Sequence, residues 1–143
     1  MKKVCYLYVL TCFILLIFSC AGNYGVSQEK AITGYWKNEK DIYLSIEPTK
    51  KYGIAALIKF APGYAASEDF KSGKPLVVNI IPLADGSYSG LFLIEKSKGM
   101  KVRLAFTSPG VLTVVTWDKR AQGRIMKWVK VRNKEEIDFL DSQ

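Results

Sequence analysis

The chain has 143 residues, which is the size of one common domain and too small for two. It carries 21 basic and 13 acidic residues and contains no histidine. Without histidine, Ser-His and Cys-His nucleophilic catalysis are excluded, and the sequence holds no phosphate-binding Gly-rich motif and no Cys and His ligand set for zinc. We therefore expect a protein with no cofactor, no bound metal and no enzymatic activity.

The first residues are typical of an export signal. Two lysines precede an uncharged, largely apolar run over residues 4–18, and fifteen residues are short for a helix that spans a bilayer. The run ends in IFSCAG at residues 17–22, which resembles the lipobox of bacterial lipoproteins. The resemblance implies a signal peptide over residues 1–19, cleavage before Cys20 and a diacylglycerol on its thiol. A retained apolar anchor helix and an ordinary signal peptide cut elsewhere are the alternatives.

The lipoprotein resemblance also predicts where the protein acts. A lipid on Cys20 makes a membrane of the cell envelope its first expected partner. By similarity to the sorting rules of enteric-type bacteria, Ala21 favours the outer membrane, with the domain facing the periplasm. Cys5 and Cys12 leave with the signal peptide, so the mature chain has no cysteine for a disulfide. We do not expect an exported chain to bind nucleic acid, even with its excess of basic residues.

After a small, polar tether over residues 20–32, the sequence from 33 to 143 predicts a single all-β domain. Alternation is clearest at Ile42, Leu44 and Ile46, which share one face of a strand. Short apolar runs of this kind recur at near-regular spacing, separated by turn residues such as Asp85-Gly86. The predicted strands are Gly34–Lys37, Asp41–Glu47, Tyr52–Phe60, Pro75–Ile81, Ser87–Glu95, Met100–Thr107, Val111–Trp117 and Arg124–Val131.

The short connections indicate antiparallel neighbours, so about eight strands form an up-and-down meander. Closing such a meander into a barrel removes both unpaired edges, and we therefore predict a barrel, with a β-sandwich as the alternative. The last segment predicts a helix over residues 133–141, with Asn133 as N-cap, Glu136 at the capping-box position, and Ile137 and Leu140 facing the barrel. The connection over residues 61–73 is too long for a hairpin and is either a binding loop or a disordered or briefly helical crossover.

Two tryptophan motifs bracket the predicted barrel. Gly34 and Trp36 form a Gly-x-Trp at its start, and the last strand ends in Trp128-Val-Lys-Val-Arg132. This bracketing is similar to that of lipocalins and calycin-like barrels, and the strand spacing looks like that of small lipocalin-like lipoprotein domains. The resemblance implies that Trp36 closes one barrel end, with Arg132 lying across it. The helix common before the first lipocalin strand has no clear counterpart, so whether a ligand cavity exists stays open.

We expect a binding module for an apolar or amphipathic small ligand or for an envelope protein. The alternative is a structural or inhibitory lipoprotein with a solid core that acts through its surface. Several strands are apolar on both faces, which requires a covering partner unless bulges change the register. The candidate ligand-binding residues are Tyr35, Trp36, Tyr64, Phe70, Tyr88 and Trp128. A second candidate is a basic wall, which faces anionic headgroups or glycan or only keeps the protein soluble, formed by Lys101, Arg103, Lys130 and Arg132.

Overall fold

The computed structural model describes residues 31–63, 70–93, 99–117 and 123–143. The predicted signal peptide, Cys20, most of the predicted tether and Tyr64 lie outside these residues. Residues 33–143 form one compact unit. Its strands are β1 (Gly34–Asn38), β2 (Tyr43–Thr49), β3 (Gly53–Phe60), β4 (Pro75–Pro82), β5 (Tyr88–Phe92), β6 (Met100–Ser108), β7 (Val111–Trp117) and β8 (Gly123–Lys130), followed by helix α1 (Lys134–Asp141).

The eight strands close into a single antiparallel barrel in which each strand pairs with its neighbours in sequence. Closure is made by β1 and β8, where Trp36 is opposite Lys130 and Asn38 is opposite Trp128. The predicted barrel is thus confirmed over the sandwich alternative. Because the first and last strands pair, the described sheet has no open edge to cover.

The barrel interior is filled by side chains at alternating positions of the strands. Leu44 faces Ile58 across β2 and β3, and Leu104 faces Val114 across β6 and β7, and all four are buried. Strand β4 departs from strict alternation, since its register shifts against both β3 and β5. The bulges account for much of the two-sided apolar pattern of β4, because an extra residue brings consecutive side chains into the interior.

The connections sort the barrel into two ends, which we call the hairpin end and the loop end. The turns β2–β3, β4–β5 and β6–β7 lie at the hairpin end, together with the start of β1 and the finish of β8. The connections β1–β2, β3–β4, β5–β6 and β7–β8 lie at the loop end. The strand ends that flank the long connection predicted over residues 61–73 therefore lie at the loop end.

Helix α1 lies against the outer face of the first strands. Its N-cap Asn133 accepts a hydrogen bond from the Glu135 backbone N–H at 2.9 Å, as predicted. Glu136 instead accepts a hydrogen bond of 2.9 Å from the Tyr43 hydroxyl of β2, so its carboxylate joins the helix to the barrel. Leu140 is buried, whereas Ile137 is half-buried.

Candidate ligand-binding site

The described residues form a cavity of about 120 Å³ at the loop end of the barrel. Its apolar part comes from the ends of β4, β5, β6 and β8, which bring Leu76, Phe92, Met100 and Met126 together. Leu76 reaches the interior because the β3–β4 register shifts beside it: Ala56 is opposite Val77, but Leu57 is opposite Pro75. The other lining residues are Asn38, Glu39, Lys40, Ile42, Phe70, Thr116 and Arg124.

Charged side chains line the same cavity beside the apolar ones. Arg124 is opposite Thr116, whose side chain is buried, so the register places Arg124 on the inward face of β8 near the loop end. Glu39 and Lys40 come from the β1–β2 connection and add one charge of each sign. Among the described residues, the site therefore joins an apolar interior to a mouth with two cations and one carboxylate, which is the distribution that an amphipathic molecule matches.

Phe70 is the one described candidate for ligand binding that lines this cavity, and the other described candidates lie elsewhere. Trp36 and Tyr88 are buried toward the hairpin end, and Trp128 is buried inside the barrel. Tyr35 points outward, where its hydroxyl donates a hydrogen bond to the Asp141 carboxylate of α1. That hydrogen bond is the main reason why the pKa of Tyr35 is raised to about 12.

The hairpin end is closed by aromatic rings. The Trp36 and Phe106 ring centroids are 6.0 Å apart, and those of Tyr88 and Phe106 are 6.3 Å apart. Lys130 Nζ lies 5.4 Å from the Trp36 ring centroid, at a distance suited to a cation–π contact. A basic residue does lie across Trp36, as predicted, but this residue is Lys130 and the prediction of Arg132 is wrong.

The alternation of side chains along β8 explains why Lys130, and not Arg132, lies over Trp36. Trp128 faces inward, so Lys130, two residues later, also faces inward, whereas Arg132 lies beyond the last residue of β8. Gly34 has a φ of 118°, a backbone conformation that favours glycine, whereas a Cβ there would only make ordinary contact with Lys130 Cε, at 3.4 Å. Burial is the main cause that lowers the pKa of Lys130, with a further contribution from the nearby Arg132.

The predicted basic wall is not one surface. Lys101 and Arg103 lie on the outer face of β6, but Lys130 points into the barrel on β8, and β7 separates the two strands. Arg103 is also committed to the β4–β5 turn, where it pairs with Asp85 and donates a hydrogen bond of 3.1 Å to Ser87 Oγ. The Asp85 pKa is lowered, mainly because its carboxylate accepts hydrogen bonds from Ser87.

Most of the cavity-lining residues were not among the sequence candidates. The sequence candidates were aromatic residues, whereas Leu76, Met100 and Met126 are apolar residues typical of an ordinary core. Their positions in the strands could have identified them, because all three lie within four residues of a connection at the loop end. In an up-and-down barrel the inward residues at one end of alternate strands converge on that end.

No protein-family model, curated protein or solved structure matches this chain. Within the described ranges, no three Asp, Glu, Cys or His side chains come together as a metal site would require. None of the helical structure in those ranges has the length and apolarity needed to cross a membrane. The closed eight-stranded antiparallel barrel is consistent with a lipocalin-like fold.

Proposed function

We propose that this protein is a lipid-anchored envelope binding module that takes the apolar end of a small amphipathic molecule into the loop end of its barrel. The observation that carries the proposal is the cavity between Leu76, Phe92, Met100 and Met126. The predicted lipid on Cys20 supports the membrane location, and the closed hairpin end supports entry from the loop end.

The size of the cavity limits what it accepts. Drug-sized ligands occupy pockets of roughly 300–1,000 Å³, whereas an engineered apolar cavity of about 150 Å³ holds benzene. A volume of about 120 Å³ therefore suits one ring or a short alkyl segment, not a whole large ligand. The rest of an amphipathic molecule would lie at the mouth.

The charges of the mouth favour an acidic group on that molecule. Arg124 presents a planar guanidinium that can bind a carboxylate or phosphate with two parallel hydrogen bonds. Lys40 lines the same cavity, and among the described lining residues Glu39 is the one carboxylate. An anionic headgroup at Arg124 with an apolar tail toward Met126 therefore fits both parts of the site.

Native mass spectrometry of the protein isolated from its own membranes tests the proposal. We expect a retained small molecule in the wild type and its loss in Met126→Trp, because the larger side chain fills the cavity. Ile125→Trp is the matched control, since Ile125 is adjacent in sequence, faces outward and is 68% exposed. This control should retain the molecule.

Equal retention in both tryptophan variants would contradict binding in this cavity. The absence of any retained molecule from the wild type, combined with no binding of short-chain fatty acids in calorimetry, would favour the solid-core alternative. Calorimetry with Arg124→Gln separates the two parts of the site, because it should weaken binding of the acids while leaving binding of uncharged alcohols of equal length unchanged.

A further inference from the structure

The outer face of β7 and β8 carries apolar side chains that the described residues leave uncovered. Trp117 is 46% exposed, Ile125 is 68% exposed and Val129 is 51% exposed. The strand registers place Val115 opposite Ile125 and Val111 opposite Val129, so apolar residues continue across both strands. We call this surface, formed by Val111, Val115, Trp117, Ile125 and Val129, the β7–β8 face.

Basic residues lie among and beside these apolar side chains. Lys101 of β6 is directly opposite Trp117, and Lys127 of β8 lies between Ile125 and Val129 on the same face. Strands β5 to β8 contain no acidic residue, and Lys101 and Lys127 are the basic residues that they add to this outer face. The other basic residues of these strands are committed elsewhere: Arg124 and Lys130 point into the barrel, and Arg103 pairs with Asp85. Helix α1, by contrast, contains four acidic residues and one lysine, and it contacts β1, β2 and β3. The acidic residues of α1 therefore lie against the first strands, whereas the outer faces of β6 and β8 carry Lys101 and Lys127 and no acidic residue.

We propose that the β7–β8 face docks on the surface of an anionic lipid bilayer, independently of any ligand in the cavity. Tryptophan side chains favour the boundary between headgroups and acyl chains, and the neighbouring apolar residues gain by burial there. Lys101 and Lys127 then meet negatively charged headgroups, which attract basic residues close to the membrane. The surface matches the two chemical layers of a membrane interface.

A second copy of the chain matches this face less well. Symmetric pairing would place the same patch of each copy against the other, so that Lys101 and Lys127 would face lysines of the partner. Like charges brought together in a desolvated contact oppose association. An anionic bilayer neutralises the same charges, which is why charge complementarity favours the membrane.

Tryptophan fluorescence of the full chain in vesicles tests the docking. Trp36 and Trp128 are fully buried inside the barrel, so quenching by spin-labelled lipids reports on Trp117. We expect strong quenching in vesicles that contain phosphatidylglycerol, weak quenching in pure phosphatidylcholine, and only the weak background in Trp117→Phe. Added salt should reduce the quenching, because it screens the charges at the surface.

Charge reversal at Lys101 and Lys127 provides the second arm. Each lysine near an anionic surface strengthens binding about fivefold, so Lys101→Glu with Lys127→Glu should lower the docking constant at least about 25-fold. The control pair, Lys50→Glu with Lys134→Glu, makes the same charge change at exposed positions in the β2–β3 turn and on α1, and it should retain the quenching. If the circular dichroism spectrum shows that the glutamate variant does not fold, the pair Lys101→Gln with Lys127→Gln is used in its place. It removes the two positive charges without adding negative charges that the membrane repels.

Three outcomes would overturn the proposal. The first is equal quenching in phosphatidylcholine and phosphatidylglycerol vesicles. The second is an equal loss of quenching in the control pair, which would indicate a response to net charge and not to this face. The third is protection of Trp117 that needs no lipid and increases with protein concentration, which would identify a second copy as the occupant.

Discussion

Replacement of Trp36 by alanine removes the side chain that joins barrel closure to packing at the hairpin end. Trp36 is opposite Leu44 of β2 and Lys130 of β8, so it lies at the seam between the first and last strands. Trp36 is fully buried and its ring contacts the Phe106 ring. Lys130 Nζ lies over the Trp36 ring. The substitution therefore leaves a cavity and also removes the ring beneath a partly desolvated cation.

The expected loss follows from the buried area. An aromatic side chain buries roughly 150–250 Å². At about 25 cal/mol per Å², this area corresponds to roughly 4–6 kcal/mol as an upper value, and truncation of buried aromatic residues costs about 3–5 kcal/mol. We expect the free energy of unfolding to fall by about 4 kcal/mol, a large part of the roughly 5–15 kcal/mol that stabilises a domain.

Urea unfolding of residues 21–143, followed by circular dichroism, measures this loss. Trp117→Ala is the matched control, because the same side chain is removed at an outward position that is 46% exposed. A substitution there leaves no enclosed cavity, and because only part of the side chain is buried it should cost about half as much, roughly 2 kcal/mol. The assignment of Trp36 to barrel closure would be refuted if the two variants unfolded at the same urea concentration.

Two further predictions concern the barrel wall and the helix contact. Gly90→Ala should lower the free energy of unfolding by about 1–3 kcal/mol. The reason is that a Cβ at this position would lie 3.0 Å from Val77 Cγ1 and 3.1 Å from the Val78 carbonyl oxygen. An unchanged urea midpoint would show that β4 shifts to make room for the methyl group and would contradict this prediction. Tyr35→Phe should lower the free energy of unfolding at neutral pH. It should also reduce the fall in this free energy at alkaline pH, since the Tyr35 pKa is 10.0 ordinarily and about 12 in the folded protein. The folded state keeps the phenolic proton more strongly than the unfolded state, so this contribution is complete below pH 10 and is lost as pH rises toward 12. Parallel stability curves for wild type and Tyr35→Phe across this range would contradict the prediction.

The cavity and the β7–β8 face meet at the loop end of the barrel. Arg124 lines the cavity, and Ile125, the next residue, belongs to the exposed face. Trp117 ends β7 at the same barrel end. A protein docked as we propose would therefore hold the mouth of its cavity beside the membrane, where amphipathic molecules concentrate.

The sequence alone determined the number, order and approximate limits of the strands. Alternation along each strand and turn chemistry between strands are local properties, and Gly86 and Gly110 indeed have positive φ angles in their turns. Closure through the first and last strands also followed, because about eight short strands in a meander leave two edges that a barrel removes. The helix and its Asn133 cap are equally local features.

The tertiary structure decided which face each side chain takes where alternation breaks, and therefore where the site lies. Leu76 lines the cavity only because the β3–β4 register shifts beside it, and a shift of one residue moves a side chain to the other face. Glu136, expected to cap its own helix, accepts a hydrogen bond from Tyr43 because the helix lies against β2. Lys130 occupies the position predicted for Arg132 because β8 ends at Lys130, with its side chain pointing inward. The outcomes for Leu76 and Glu136 depend on a strand that is distant in sequence, and no local pattern contains that information. The inward direction of Lys130 follows from alternation after Trp128, but its position over Trp36 depends on the pairing of β8 with β1.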